Sequence, residues 1–141
     1  MIGYLDSSAL LRVYLPDEAA AEGLSEVVDL LASLATSRLA YVEVRAGLAA
    51  ARRAGRMSLV SHDVAVADFD RAWLEYEVIE IDPALGFRAA DVAEQYGLRA
   101  GDAIHLASAL EIGDDVSVVA WDHRLRVAAS AAGFAVFPAT A

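Results

Sequence analysis

Two aspartates stand at points where an apolar segment gives way to a segment with helical spacing. Asp6 follows IGYL at 2–5, and Asp122 follows VSVVAW at 116–121. In open parallel sheets, ligands bind at the carboxyl ends of the strands, where the chain turns into the next helix. An aspartate at such a junction also serves as a helix N-cap. Taken singly, each is compatible with a chemical or with a purely structural role.

Glu43 lies beside or within the apolar face of a predicted helix. The stripe that defines this face is Leu39, Val42, Ala46 and Ala50. A lone ionised carboxylate is costly to bury there, so Glu43 needs a cation, a water-filled crevice or a raised pKa. The structural alternative is an ion pair with Arg38 or Arg45. Both interpretations stay open from the residues alone.

Asp102 follows Gly101 and opens the run AIHLASAL, where an N-cap is the structural interpretation. A helix N-terminus beside two strand-end acids is also a suitable corner for a metal. Magnesium binds a few carboxylate oxygens and keeps several waters. Four acids packed together without a cation repel one another, which raises their pKa values. Convergence of the four acids would therefore imply a bound cation.

The composition fits one folded domain of 141 residues. A chain of this length buries about two thirds of its unfolded surface. The absence of cysteine excludes disulfides, thiolate catalysis and cysteine zinc sites. The start MIGYLD has no signal-peptide pattern, and no apolar run approaches the roughly 18 residues of a membrane span. We expect a cytoplasmic protein with no membrane partner.

The net charge of −10 argues against bulk electrostatic attraction to RNA, because proteins that bind phosphates usually have a basic surface. A bound divalent cation changes the local sign, so an acidic protein still offers a positive centre to a phosphate. All 11 basic residues are arginine. The absence of lysine argues against receiver domains and haloacid-dehalogenase-type phosphatases. The absence of a glycine-rich phosphate loop argues against a nucleotide-binding module.

The predicted elements alternate between strands and helices along the chain. Strands are expected at 2–5, 31–37, 78–82, 116–121 and 134–137. Helices are expected at 7–15, 17–31, 37–54, 60–76, 84–96, 102–112 and 123–132. This order predicts an α/β fold with a central parallel sheet of about five strands, flanked by helices on both faces.

Four segments resemble the PIN-domain toxins of bacterial VapBC toxin–antitoxin pairs. They are DSSALLRVYL at 6–15, TSRLAYVEVRAGL at 36–48, LRAGDAIHLASAL at 98–110 and VVAWDHRL at 118–125. The four segments are spread over nearly the whole chain, in the order and with the spacing of that family, so we expect one PIN domain over 1–141. The resemblance implies an endoribonuclease that cleaves RNA with Mg²⁺ or Mn²⁺. The residues it assigns to catalysis and metal binding are Asp6, Glu43, Asp102 and Asp122, with Ser8 as a supporting hydroxyl.

The resemblance also implies protein partners. A small VapB-like antitoxin, acting with a PIN homodimer, is expected to bind over the acidic site. An arginine on the inhibitor suits a carboxylate cluster in a chain of charge −10. Leu11, Tyr14 and Leu15 are candidates for its docking groove, with ordinary core packing as the alternative. Arg12 and Arg99 are candidates for RNA phosphate contacts.

Two further alternatives remain open. His105 stands one turn after Asp102, where a general-acid role is conceivable, but a packed core histidine is the favoured interpretation on this apolar helix. The chain is alternatively a PIN-like binding module that has lost catalysis, although the presence of all four acids favours an enzyme. The aromatics expected in the core or at a subunit interface are Trp73, Tyr76, Phe87 and Tyr96.

Overall fold

A computed structural model describes residues 1–15, 24 and 32–139. Within them, the strands are β1 (Ile2–Leu5), β2 (Ser33–Ser37), β3 (Glu77–Ile79), β4 (Val116–Val119) and β5 (Ala135–Phe137). The helices there are α1 (Ser7–Tyr14), α2 (Arg38–Arg53), α3 (Leu59–Trp73), α4 (Pro83–Tyr96), α5 (Ala100–Ile112) and α6 (His123–Ala131). None of the helices in these ranges is long and apolar enough to cross a membrane. Of the helix predicted at 17–31, only Leu24 lies within the described residues, where it is helical and buried.

The strands pair in the order β3-β2-β1-β4-β5, and every pairing is parallel. The central strand is β1, whose Tyr4 lies opposite Ala35 of β2 and Val118 of β4. Parallel neighbours need crossover connections, and the helices supply them. The predicted α/β class with a five-stranded parallel sheet is confirmed.

Two strands are shorter than predicted at their carboxyl ends. β3 stops at Ile79 because its partner β2 gives way to α2 after Ser37. β4 stops at Val119 because its partner β1 ends at Leu5, directly opposite. The predicted strands continue beyond both points, but no strand lies beside these residues to complete the hydrogen-bonded ladder.

The two faces of the sheet carry separate hydrophobic cores. Tyr4 packs in a core with buried residues of α4, α5 and α6, whereas Leu5 packs in a core with α1, α2 and α3. Successive side chains of a strand point to opposite faces. The placement of helices on both faces of the sheet is therefore confirmed, and β1 contributes to both cores.

The buried face of α2 differs from the predicted stripe. The residues it buries are Ala40, Val44, Leu48 and Ala51. The stripe through Val42 is wrong, since Val42 is 65% exposed. In an alanine-rich helix, hydrophobicity alone does not identify the buried face. Contact with α1 determines that face instead, because α2 approaches α1 so closely that a Cβ on Gly47 would stand 2.8 Å from the Leu11 side chain. Glu43 still lies next to the buried stripe, at its edge.

The aromatic residues separate into packed and exposed ones. Trp73 and Tyr76 belong to a cluster of rings on the core beneath α1–α3, and Tyr96 packs against the other core. Phe87 is 78% exposed, because α4 turns Leu85, Ala89 and Val92 inward instead. The core interpretation is therefore wrong for Phe87. A subunit interface there stays a prediction.

The strand order reverses at β1, with β2 and β3 on one side and β4 and β5 on the other. Such a reversal opens a crevice at the carboxyl ends of the strands. Asp6 leaves β1 at this point, and its backbone N–H donates to the Val119 carbonyl at 3.2 Å. Asp122 follows β4 by three residues, so the topology brings both strand-end aspartates to the same edge.

Candidate active site

Asp6 is a buried carboxylate at the start of α1. It is 4% exposed and caps the helix, because its Oδ1 accepts from the Ala9 N–H at 2.9 Å. The Ser8 hydroxyl donates to Oδ1 and Oδ2, at 2.7 and 2.9 Å. Burial raises the pKa of Asp6, and the charge of Asp102 raises it further. His105 and these hydrogen bonds act to lower the pKa, but burial outweighs them. An ionised Asp6 is therefore costly without a cation.

Ser8 connects the ends of two strands. Its O–H donates to Asp6 after β1, and its oxygen accepts from the Trp121 N–H after β4 at 3.0 Å. The Trp121 ring packs against the core beneath α1–α3, and the Arg12 guanidinium carbon lies 4.6 Å from its centre. Ser8 thus fixes the loop after β4 relative to the Asp6 carboxylate, which agrees with a supporting hydroxyl.

Glu43 has a histidine partner rather than an arginine. Its Oε1 lies 2.7 Å from His105 Nε2 and also accepts a short hydrogen bond from the Ser7 hydroxyl. Burial acts to raise the pKa of Glu43, but the bonds from His105 and Ser7 outweigh it and lower that pKa. Glu43 is therefore stabilised in its ionised form.

The ion pair predicted between Glu43 and Arg38 or Arg45 is wrong. Arg38 pairs with Glu80 across the surface, with Nε 3.0 Å from a carboxylate oxygen, and Arg45 donates to the Tyr41 hydroxyl at 2.8 Å. Both arginines lie on the exposed side of α2, where solvated pairing is available. Glu43 instead points toward α5.

His105 is buried, as predicted, but its contacts go beyond packing. It is 3% exposed; Nδ1 lies 2.7 Å from the Tyr4 hydroxyl, and Nε2 lies 3.1 Å from the Ser7 hydroxyl besides contacting Glu43. Sequence reasoning set His105 aside and missed Tyr4 and Ser7 altogether. The available signal was a histidine one turn after Asp102 on an otherwise apolar helix, since a buried imidazole needs polar partners.

Ser7, His105 and Glu43 do not form a serine-nucleophile triad. In such a triad the acid binds one imidazole nitrogen and the serine binds the other. Here both the serine hydroxyl and the carboxylate contact Nε2, and Nδ1 is bonded to Tyr4. The arrangement can fix a carboxylate, but it cannot pass charge from an acid through the ring to a serine.

Asp102 lies in the first turn of α5 and is not its N-cap. The N-cap is Arg99, which makes no side-chain capping bond, so the N-cap interpretation of Asp102 is wrong. Burial raises the pKa of Asp102, and the charge of Asp122 raises it further. Glu43 adds to the increase, while His105 and Arg99 oppose it. The first-turn position also favours a negative charge through the helix dipole.

Asp122 caps α6, in agreement with the structural interpretation of this residue. Its Oδ1 accepts from the Arg124 N–H at 3.0 Å and the Leu125 N–H at 3.3 Å. The side chain is partly exposed. Its charge acts on Asp102, so capping α6 does not remove Asp122 from the acidic crevice.

The four acids are thus linked electrostatically at one edge of the sheet. Asp102 is the common neighbour, since its charge interacts with those of Asp6, Glu43 and Asp122. Among residues 1–15, 24 and 32–139, no group of three or more His, Asp or Glu side chains is arranged so that it could hold a metal ion. The donor chemistry nevertheless suits a hard divalent cation: carboxylate oxygens predominate, and both nitrogens of His105 already have protein partners. Their catalytic and metal-binding roles stay a prediction.

Comparison with known proteins identifies the family. The family model described as "PIN domain" matches residues 3–130. The chain belongs to the PIN domain family. It is 40% identical over 144 residues to Ribonuclease VapC45 of Mycobacterium tuberculosis, an alignment that covers 96% of this chain and 94% of that protein. The predicted membership of the VapC group of PIN proteins is thereby confirmed.

Solved structures share the PIN fold at low sequence identity. FitAcB from Neisseria gonorrhoeae superposes with a TM-score of 0.72 at 20% identity, covering 97% of this chain and 96% of that one. A toxin–antitoxin complex from Klebsiella pneumoniae gives a TM-score of 0.62 at 17% identity, covering 85% and 86%. These likenesses support the fold described above.

Proposed function

We propose that this PIN domain is a divalent-metal-dependent endoribonuclease, the toxin of a type II toxin–antitoxin pair. It hydrolyses RNA phosphodiester bonds at the crevice lined by Asp6, Glu43, Asp102 and Asp122. The observation that carries the proposal is the electrostatic state of Asp102, whose pKa is raised by burial and by two neighbouring carboxylates. A site that keeps acids together against repulsion is suited to a cation. The VapC45 relative is a ribonuclease by name, which supports the same activity.

Mg²⁺ or Mn²⁺ would be held mainly by Asp6 and Asp102, with Glu43 and Asp122 completing the carboxylate set. When bound, the cation supplies Lewis acidity toward a phosphate oxygen and lowers the pKa of water. The crevice also gives an acidic chain one positive centre for a phosphodiester.

The protein residues contribute positioning and proton transfer. Ser8 and the Ala9 N–H orient the Asp6 carboxylate. Glu43 stays ionised through its bonds to Ser7 and His105, so it can orient a water molecule and accept its proton as that water attacks phosphorus in line. The P–O bond opposite the attacking water breaks, and its electron pair leaves with the RNA oxygen. Asp122 is a second candidate for orienting the water.

Two arginines are proposed to contact the RNA backbone. Arg99 is exposed at the N-terminus of α5, close enough to act on the Asp102 charge, and Arg12 lies against Trp121 at the loop after β4. Guanidinium groups bind phosphate oxygens through paired hydrogen bonds.

The decisive test uses the full chain, purified free of any partner protein, with a mixed RNA substrate. Cleavage should require Mg²⁺ or Mn²⁺, stop with a chelator and fail in Asp102→Asn. The matched control is Asp91→Asn, which neutralises an exposed aspartate on α4 and should leave cleavage unchanged. Metal binding without cleavage by the wild-type protein would instead identify a catalytically inactive binding module.

A VapB-like antitoxin is the proposed protein partner, acting on a PIN homodimer. The Klebsiella neighbour is part of a toxin–antitoxin complex, which supports a partner of this kind. An arginine of the inhibitor would compete with the metal for the carboxylates. Leu11, Tyr14 and Leu15 are partly buried against the core beneath α1–α3, so they offer only part of their surface to the antitoxin. Copurification with the product of the neighbouring gene, followed by cleavage assays before and after separation, tests this. Equal activity in both samples would reject it.

A further inference from the structure

Tyr4 and His105 form a buried pair beneath the proposed site, and the proposed reaction gives Tyr4 no role. The Tyr4 hydroxyl lies 2.7 Å from Nδ1 of His105, and Tyr4 is 0% exposed. The pair sits inside the core beneath α4–α6 and reaches the proposed site through His105 Nε2, which contacts both Glu43 and the Ser7 hydroxyl. Burial of two polar side chains is costly unless each makes hydrogen bonds. Their position at the base of the site therefore calls for an explanation.

The hydrogen bonds select one arrangement of the imidazole protons. Glu43 is ionised and can only accept, so Nε2 must carry the proton that it donates. The Tyr4 hydroxyl lies 2.7 Å from Nδ1 and carries a proton that it can donate to this nitrogen. Tyr4 thus favours the imidazole form that Glu43 requires.

The two oxygens of Glu43 have different surroundings. Oε1 accepts from both Ser7 and His105. Oε2 faces the start of α5, 3.6 Å from the point where a Cβ on Gly101 would stand, one residue before Asp102. Within residues 1–15, 24 and 32–139, the protein thus engages one oxygen with hydrogen bonds, and the other faces the start of α5 next to Asp102.

We propose that Tyr4 and His105 are positioning residues that hold Glu43 through Oε1, so that Oε2 alone serves the metal and the attacking water. The chemical class of the ligand is a hard divalent cation with its bound water. This inference rests on the proposed function, because it gives Glu43 its task. Neither Tyr4 nor His105 touches the substrate.

The first experiment reads the imidazole directly in the metal-free protein. The chain has 3 histidines, so the ring nitrogens of His105 can be assigned by ¹⁵N NMR after substitution of the other two. We expect a proton on Nε2 and a perturbed Nδ1 signal in Tyr4→Phe. A neutral ring with its proton on Nδ1 alone would overturn the proposal. This measurement needs no variant of His105 and no RNA cleavage.

The second experiment compares two amide substitutions of His105 that differ in side-chain length. His105→Gln keeps an N–H group at the distance of Nε2, whereas His105→Asn reaches only as far as Nδ1. Loss of a residue that orients a metal ligand costs about 10- to 100-fold in metal affinity or activity. We expect a loss of this size in Mn²⁺ affinity and in kcat for His105→Asn, with the KM for RNA nearly unchanged. His105→Gln should restore much of both. Equal losses in the two variants would show a merely structural role.

The third experiment tests whether His105 acts through Glu43. In the Glu43→Gln background, adding His105→Asn should change Mn²⁺ affinity little, because the carboxylate it orients is already gone. A further loss as large as in the wild-type background would contradict the proposal. If RNA is not cleaved but the Asn and Gln variants still differ in Mn²⁺ affinity, the proposed function fails and the positioning role stands. If RNA is cleaved and they do not differ, the positioning role fails.

Discussion

Glu43 and Asp102 lie at the same edge of the sheet, yet the protein treats their carboxylates in opposite ways. Glu43 accepts hydrogen bonds from Ser7 and His105, which lower its pKa. Within residues 1–15, 24 and 32–139, no hydrogen bond is donated to the Asp102 carboxylate, and burial together with the charges of Asp122 and Glu43 raises its pKa. The protein itself supplies the partners of the Glu43 carboxylate. The charge of the Asp102 carboxylate is left for a ligand to neutralise.

This difference suggests a division of work within the site. A carboxylate that accepts proton-bearing partners is fixed in position before any ligand arrives. Carboxylates that repel one another store an electrostatic cost that a cation removes on binding. The buried Asp6 has both features: the Ser8 hydroxyl and the Ala9 N–H fix its carboxylate, but burial and the charge of Asp102 raise its pKa. We therefore expect neutralisation of Asp6 and of Glu43 to change stability in opposite directions.

Asp6→Asn should have the largest effect and separate activity from stability. It removes a proposed metal ligand, so most metal-dependent cleavage should be lost. It also removes a buried charge whose ionisation is unfavourable, so the metal-free variant should melt at a higher temperature than the wild type near neutral pH. RNA cleavage assays and thermal unfolding measure the two effects. Undiminished cleavage would place catalysis elsewhere.

Glu43→Gln should also reduce cleavage, but with the opposite effect on stability. Loss of a group that orients and deprotonates water costs about 10²- to 10⁴-fold in kcat. The ionised carboxylate is favoured by Ser7 and His105, so its neutralisation should lower the melting temperature near neutral pH. A rise in melting temperature would contradict the contrast with Asp6.

Acidification should remove both stability differences. The unfolded pKa values are about 3.9 for Asp and about 4.3 for Glu. Glu43 has a lowered folded pKa, so its stabilising contribution is present above about pH 4.3 and is lost as pH falls through the folded value. Asp6 has a raised folded pKa, so its destabilising contribution disappears as pH falls through that value to below about 3.9. Melting curves of the metal-free variants should therefore approach the wild type at low pH, from above for Asp6→Asn and from below for Glu43→Gln.

The fold and the strand-end positions of Asp6 and Asp122 could be predicted from sequence because both depend on local patterns. β1 ends at Leu5, directly before Asp6, and β4 ends at Val119, shortly before Asp122; an apolar run followed by a helix start marks each junction. The Tyr4–His105 pair could not be predicted in the same way, because the two residues are 101 positions apart and meet only through packing of α5 on β1. The face of α2 was mispredicted for a related reason: its alanines allow several faces, and contact with Leu11 selects one.

Asp122 allows capping to be separated from its proposed catalytic role. Asn caps helices about as well as Asp, whereas Ala in place of a capping residue costs about 1 kcal/mol. Asp122→Asn should keep the bonds to the N–H groups of Arg124 and Leu125 and retain stability, while Asp122→Ala should unfold at a lower denaturant concentration. Both should impair cleavage to a similar degree. If only the Ala variant loses activity, Asp122 acts through the helix and not in the reaction.

Gly101→Ala should have the smallest effect on cleavage. It tests the role of Oε2, the Glu43 oxygen that faces Gly101. The added methyl would lie 3.6 Å from Oε2, an ordinary contact that leaves Oε1 and its hydrogen bonds in place. Replacing Gly by Ala in a helix stabilises by up to about 1 kcal/mol, so the variant should be at least as stable as the wild type. Crowding at Oε2 should nevertheless lower kcat modestly.

The control for this variant is Gly86→Ala in α4. A Cβ there meets no atom within 4 Å, so it should give the same helical stabilisation without altering cleavage. Guanidinium chloride unfolding and steady-state kinetics on both variants make the comparison. If Gly101→Ala and Gly86→Ala keep the same kcat, then Oε2 is not the oxygen that serves the reaction, and the difference between the two oxygens of Glu43 has no catalytic meaning.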